Sequence, residues 1–288
     1  MSLVIDDVLV RLEPSGGRVP VVFDSPHSGT RYPADFQFIC PLPLLRQAED
    51  TYVDELFAVA PDHGATLICA LFPRAYVDVN RAADDIDPDI LDGPWPGPLN
   101  PSDKSAMGMG LVRNLCRPGL PMYDGRLPVA NVMDRIERYW RPYHEQLAQT
   151  LEALHARFGM VWHVNCHSMP SLAASPDDRD GGADFVLGDR DGTTCDPGFT
   201  RFVADQLRAM GYGVRLNDPY KGVELVRRYS RPGHGRHSLQ LEIDRRLYMN
   251  EETLEKHAGF DRLRRDLGRL MAAVCDYAGS MVARRAAE

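Results

Sequence analysis

Residues 160–168 read Met160-Val161-Trp162-His163-Val164-Asn165-Cys166-His167-Ser168, and the reading of this stretch decides the class of fold. Met160 to Val164 is apolar enough to be a buried strand, and the polar Asn165-Cys166-His167-Ser168 is expected to follow as a turn. Just upstream, Val132, Ile136, Tyr139, Tyr143, Leu147, Leu151, Leu154 and Phe158 recur at spacings of three and four, so Val129 to Phe158 is the clearest helix. Pro142 should bend or break it, because proline removes a backbone donor and clashes with the preceding turn. The alternation continues outward. Val19 to Phe23, Ala65 to Phe72, Phe185 to Leu187, Gly213 to Leu216 and Leu239 to Ile243 read as strands, with a further short one at Ala75 to Val79. Leu42 to Val59, Gly198 to Met210 and Glu251 to Arg285 read as helices, the last of them broken. Strands alternating with helices predict one α/β layer structure with helices on both faces.

The chain has 288 residues, 44% of them apolar and 26% charged, which is ordinary globular usage. No repeat or composition shift marks a boundary, so residues 1–288 are expected to form a single domain. Residues 84–128 are rich in proline and glycine and show little periodicity; within one domain such a stretch forms walls or lids of a site. The formal net charge is −8 and the basic residues are dispersed, which argues against a nucleic-acid partner. The longest largely apolar run, Ala65 to Phe72, falls far short of the roughly 20 residues that span a bilayer. The N-terminal MSLVIDD lacks the features of an export signal, and Cys40, Cys69, Cys116, Cys166, Cys195 and Cys275 are scattered. Free thiols and a cytoplasmic location are the expectation; monomer and homo-oligomer are both compatible with the sequence.

Ligands of α/β sheets collect beyond the carboxyl ends of strands, and four such ends carry reactive residues. The first holds Asp24-Ser25-Pro26-His27-Ser28-Gly29, the second Arg74 and Asp78-Val79-Asn80-Arg81, the third Asn165 to Ser168, and the fourth Glu242. Two imidazoles and a carboxylate around one ion, with a fourth position open to water, make a catalytic zinc site. His27 and His167 are the natural imidazole ligands, and Glu49 or Asp50 can supply the carboxylate. Glu242 sits within an apolar strand, which raises the proton affinity of a carboxylate and suits it to shuttle protons. Cys166 is no partner for His167, because neighbours in a strand point to opposite faces. Ser28 and Ser168 read as hydroxyls that support the ligating histidines. His144 is expected to pack at the helix break, and Pro232 to His237 to form either a flap over the pocket or a plain turn.

Ser25-Pro26-His27-Ser28-Gly29, Arg74 to Arg81, Tyr139-Trp140-Arg141-Pro142-Tyr143-His144, Cys166-His167-Ser168, Gln240-Leu241-Glu242 and Tyr248-Met249-Asn250-Glu251 occur in an order that resembles the N-formylglutamate amidohydrolase family. The resemblance covers roughly residues 19 to 252. It implies a three-layer α/β/α fold with a mixed central sheet, similar to the zinc-dependent exopeptidases (phosphorylase/hydrolase-like). It also implies a zinc ion at His27, Asp50 and His167, with Asp50 preferred to Glu49, and Glu242 as general base and acid. The chain departs from the exopeptidase pattern at Thr30, where a carboxylate ligand would stand three residues after the first histidine.

The implied reaction is hydrolysis of an N-formyl or other N-acyl acidic amino acid, a small-molecule substrate, most simply N-formyl-L-glutamate to formate and glutamate. The family is best known for a late step of histidine breakdown. Arg74 is the candidate partner for the developing oxyanion. Asn80 and Arg81 match the exopeptidase pair that holds a substrate carboxylate. A second carboxylate needs another cation, for which Arg227, Arg228 and Arg236 are available. Rival readings are a metallo-carboxypeptidase, an amidohydrolase with another acyl donor, and a non-catalytic binder of dicarboxylates.

Overall fold

The computed structural model describes residues 2–171 and 182–287. Its centre is a mixed eight-stranded sheet of β1 (Leu3–Ile5), β2 (Leu9–Leu12), β3 (Val21–Ser25), β4 (Thr66–Ala70), β5 (Val161–Met169), β6 (Phe185–Gly188), β7 (Val214–Leu216) and β8 (Arg236–Asp244), in the order β1-β2-β4-β3-β5-β8-β6-β7. The four central strands β4, β3, β5 and β8 run parallel, while β2 and β6 join them antiparallel. Helices α1 (Val129–Arg135), α2 (Arg141–Phe158), α3 (Pro197–Ala209), α4 (Glu224–Tyr229) and α5 (Gly259–Ala286) flank it. The fold is mixed α/β with a large central sheet, as expected.

The central strands are buried on both faces, yet they alternate in chemistry. Trp162, Val164 and Cys166 of β5, with Leu239, Leu241 and Ile243 of β8, enter one apolar core with Phe199 of α3 and Leu267 of α5. On the opposite face the same strands present His163, Asn165 and His167, and Ser238, Gln240 and Glu242, all buried. Side chains two apart share a face, so β5 and β8 give one face to that core and form a polar floor on the other. Beside that floor α2 packs a second apolar core with Val22 of β3 and Ile68 of β4.

Four local expectations are corrected. The predicted turn at Asn165 to Ser168 is strand, because β5 is paired along its length with β8 as far as Met169–Asp244. Leu42 to Val59 is not one helix; short turns at Leu42–Arg46 and Val53–Leu56 are separated by an unwound segment ending at Tyr52, whose φ of 68° is left-handed. Ala75 to Val79 is not a strand, since Asp78 N–H bonds the carbonyl of Leu111 instead. The terminal helix is unbroken but starts only at Gly259.

At Pro142 the helix neither breaks nor ends. A π-helical turn over Ile136–Trp140 separates α1 from α2 and leaves Pro142 in the first turn of α2, where its missing N–H is harmless. Gly29 is required by close approach: a Cβ there would lie 2.3 Å from the carbonyl oxygen of Phe72. The loop after β3 is thereby pressed onto the loop after β4, and His27 is brought beside Asp78.

Candidate active site

The carboxyl ends of the parallel strands open into a cavity of about 320 Å³ whose wall includes His27, Asp50, Arg74, Asn80, Arg81 and Glu242. One potential ligand atom from each of His27, Asp50 and His167 lies within 4.8 Å of the others, and all three residues are buried.

Hydrogen bonds orient the two rings. His27 Nε2 is 2.7 Å from Asp78 Oδ1, and His167 Nε2 is 2.7 Å from Asn165 Oδ1. Asn165 cannot be turned round, because its Nδ2 donates to the Asp24 carboxylate at 2.8 Å. His27 Nε2 is held by Asp78, His167 Nε2 lies between Asn165 Oδ1 and the amide nitrogen of Asn80, and the Nδ1 atoms of both rings face inward. They meet at one atom: Asp50 Oδ2 lies 3.3 Å from His27 Nδ1 and 2.9 Å from His167 Nδ1. A ring N–H can donate to that oxygen, and with both Nδ1 atoms unprotonated the same three atoms form a donor set for a cation. The residues fit a divalent metal, and the hydrogen-bonded outer nitrogens are the usual support of ligating histidines.

The sequence left Asp50 and Glu49 as rivals, and the unwound segment separates them. The Glu49 carboxylate accepts hydrogen bonds from Tyr32 and Arg46, outside the cluster. Asp50 turns inward because its N–H bonds the carbonyl of His27 and because Arg245 holds the strand of chain before it, donating to the carbonyls of Gln47 and Glu49. Burial pushes the Asp50 carboxyl up, but the hydrogen bonds to His167 and His27 and the charge of Arg74 outweigh it and hold it well below the usual carboxylate range. Asp78 behaves likewise, its burial outweighed by Arg74 and His27. Both acids are anionic at neutral pH.

Glu242 is directly opposite His167 in the β5–β8 register, about 5 Å away across the ladder. Burial, aided by the charge of Asp50, pushes it up to about 7, while His167 and Arg74 pull the other way. Gln240 donates to Glu242 Oε1 at 2.8 Å and fixes the carboxylate. Arg74 donates to Asp78 Oδ2 at 2.8 Å, and its other terminal nitrogen stands 3.6 Å from Asp50 Oδ1, at the cavity wall.

Asn80 accepts from Leu225 N–H through Oδ1, which points its amide nitrogen to within 3.2 Å of His167 Nε2. Arg81 adjoins it on the wall and forms no ion pair among the described residues. Asp85, near Arg81 in sequence, is buried and taken up by Ser102 and Ser105.

Arg227 and Arg236 do not reach the cavity. Arg227 is more than half exposed and paired with Glu224. Arg228 is likewise bound to Glu224. Arg236 begins β8, six residues before Glu242 and thus roughly 20 Å from it, and pairs with Glu152. It lines a separate groove along α2 with Gln149 and Tyr229. The glycine-rich stretch before it is a 3-10 turn at that same end of the sheet, not a flap over the cavity. His144 is a packing residue: it is stacked on Trp140, bonded to the Val79 carbonyl and Tyr229, and pushed by burial to about 3, hence neutral.

Sequence reasoning missed the supporting roles of Asp78, Asn165, Gln240 and Arg245, and it missed Lys104 and Arg113, which also line the cavity. For Asn165 and Gln240 a signal existed: they share the buried face of His167 and Glu242 at a spacing of two. For Arg113 there was none beyond its place in the irregular stretch.

Comparison with known proteins places the chain in a family. Residues 19–249 match the N-formylglutamate amidohydrolase family model. An N-formylglutamate deformylase of Pseudomonas aeruginosa is 33% identical over 241 residues, covering 82% of this chain and 84% of that protein. One from Pseudomonas putida is 31% identical over 245 residues, with the same coverage of 82% and 84%. The crystal structure of an N-formylglutamate amidohydrolase from Ralstonia eutropha JMP134 superposes with a TM-score of 0.92 at 48% identity, over 95% of this chain and 99% of that one. A gene product of Agrobacterium tumefaciens shares the fold, with a TM-score of 0.65 at 16% identity over 94% of this chain and 96% of that one. With both the family model and these relatives spanning the segments that build the cavity, the chain belongs to the N-formylglutamate amidohydrolase family.

Proposed function

We propose that this protein hydrolyses the formyl amide of N-formyl-L-glutamate, releasing formate and L-glutamate, with a zinc ion held by His27 Nδ1, His167 Nδ1 and Asp50 Oδ2. The observation that carries the reading is the convergence of those two ring nitrogens on one carboxylate oxygen, with Glu242 facing them across the next strand. When bound, such an ion polarises the formyl carbonyl and lowers the pKa of the attacking water.

The chain's own residues do the rest. Glu242, poised near neutrality, accepts the water's proton as it attacks and returns it to the nitrogen of the departing glutamate, whose basicity drives C–N cleavage. Arg74 places a cation at the wall where negative charge builds on the formyl oxygen, held in position beforehand by Asp78 and Asp50. Asn80 and Arg81 hold the α-carboxylate, which sits two bonds from the scissile nitrogen and so must lie close to the imidazoles. The relatives' names support the formyl group and glutamate as substrate parts. The six free cysteines support the cytoplasmic setting expected of a step in histidine breakdown.

The test is formate release by zinc-replete protein from N-formyl-L-glutamate, set beside N-acetyl-L-glutamate, N-succinyl-L-glutamate and a glutamyl dipeptide. Turnover should be largest by far for the formyl compound. Absence of formate, or faster cleavage of the dipeptide, overturns the reading.

A further inference from the structure

We infer that Arg113 is the specificity-determining residue of this site, the receptor for the side-chain carboxylate that distinguishes an N-formyl dicarboxylic amino acid from its neutral analogues; this rests on the hydrolysis proposed above. The cavity wall contains five cationic side chains and Asp50 as its anionic floor. Arg74 and Arg245 are already engaged by Asp78 and Asp50. Arg81, Lys104 and Arg113 form no ion pair among the described residues. Lys104 is exposed at the rim, where water solvates it. Arg81 belongs with Asn80. Arg113, half-buried, is left over, and its Nε, like that of Arg81, is covered with no hydrogen-bond partner among the described residues.

A guanidinium nitrogen is not covered without a partner at no cost. Burial and the repulsion of Arg74 push its pKa down to about 9, against the opposing pull of Asp78 and Asp50. Those neighbours also show that its charge is felt by the groups around the candidate metal cluster. A second carboxylate, brought in with the substrate, would accept the planar fork and relieve both the orphaned donor and the crowding of like charges.

The backbone that carries Arg113 is fixed in advance. Leu111 N–H bonds the Asp85 carbonyl and its own carbonyl accepts from Asp78 N–H, each at 2.7 Å. Met109 and Arg113 pair across the tip of the loop. Gly110 passes so close to Ser105 and Asp85 that a Cβ there would lie 2.2 Å from Ser105 Oγ. The tie from Leu111 to Asp78, which also orients His27, sets the distance between the carboxylate receptor and the reacting centre. A pre-set distance of that kind selects chain length as well as charge.

The experiment compares wild type, Arg113→Met and Arg113→Lys in two readouts. In turnover, wild type should favour N-formyl-L-glutamate over N-formyl-L-glutamine by roughly 10²-fold or more in kcat/KM, as expected of a site built around a charged partner. Arg113→Met should lose most of that ratio by slowing the glutamate substrate far more than the glutamine one, and Arg113→Lys should recover part of it. In calorimetric binding, L-glutamate should outbind L-glutamine on wild type and not on Arg113→Met. Because the free arginine lacks a partner, the methionine variant should melt no lower than wild type, so loss of the ratio cannot be charged to misfolding. Equal loss on both substrates, or a preserved preference in the methionine variant, overturns the role of Arg113 while formate release still stands. If wild type releases no formate yet glutamate binding loses its advantage in the variant, the hydrolysis reading fails and the receptor assignment stands.

Discussion

Glu242, the proposed base, shows how surroundings reset the chemistry of one side chain. An ordinary glutamate has a pKa near 4.5; here burial first, then the charge of Asp50, moves it up to about 7. A base must be ionised to accept a proton, so kcat/KM should climb about tenfold per pH unit below the pKa of Glu242 and level off above it, with a bound cation setting that breakpoint lower than in the metal-free site. Glu242→Gln should abolish that climb and slow turnover by 10²-fold or more. Zinc content should stay the same, and the melting temperature should not fall, because a neutral amide is spared the cost of desolvating a charge. A pH–rate profile with zinc analysis on both proteins checks this; a variant with an unchanged rate removes Glu242 from the reaction.

At the scale of elements, the decisive feature is a helix that does not form. The Leu42 to Val59 pattern favours helix, yet the chain unwinds at Gln47–Tyr52 so that Asp50 turns inward. Arg245 makes this possible. Its planar fork satisfies the carbonyls of Gln47 and Glu49, and it reaches Asp50 Oδ1 at 3.3 Å and Ser168 Oγ at 3.2 Å. Arg245→Lys should therefore fail to substitute, since one ammonium cannot span those acceptors. The expected outcome is a 10- to 100-fold weaker zinc affinity and a loss of about 1–3 kcal/mol of stability from stranded carbonyls. Zinc titration calorimetry and denaturant unfolding measure the two; an unchanged affinity would mean that Asp50 holds its position without Arg245.

Across the whole molecule, the candidate ligands come from three separate segments, on β5 and on the chain after β3 that leads to β4. A cation that binds only when those segments are assembled stabilises the fold by mass action, by about 4 kcal/mol at a thousand times its Kd. Protein stripped by a chelator should melt at lower temperature, and the melting point should rise with added zinc. His167→Ala should flatten that dependence. Melting curves that ignore zinc in the wild-type protein would show that the three residues do not bind it together.

The polar alternation in buried strands was legible in the chain itself. His27, His167 and Glu242 stand at the ends of apolar runs, where a sheet must deliver them to one edge, because strand periodicity and the parallel order of α/β units are local rules. The layer architecture followed from the same alternation. Tertiary structure alone decided between Asp50 and Glu49, since two adjacent carboxylates differ only in what they meet after the chain unwinds. It also placed Arg227 and Arg236 beside Glu224 and Glu152 and put Arg113 in the cavity wall: arginines look alike in sequence, and only the assembled fold reveals which of them has an acid beside it.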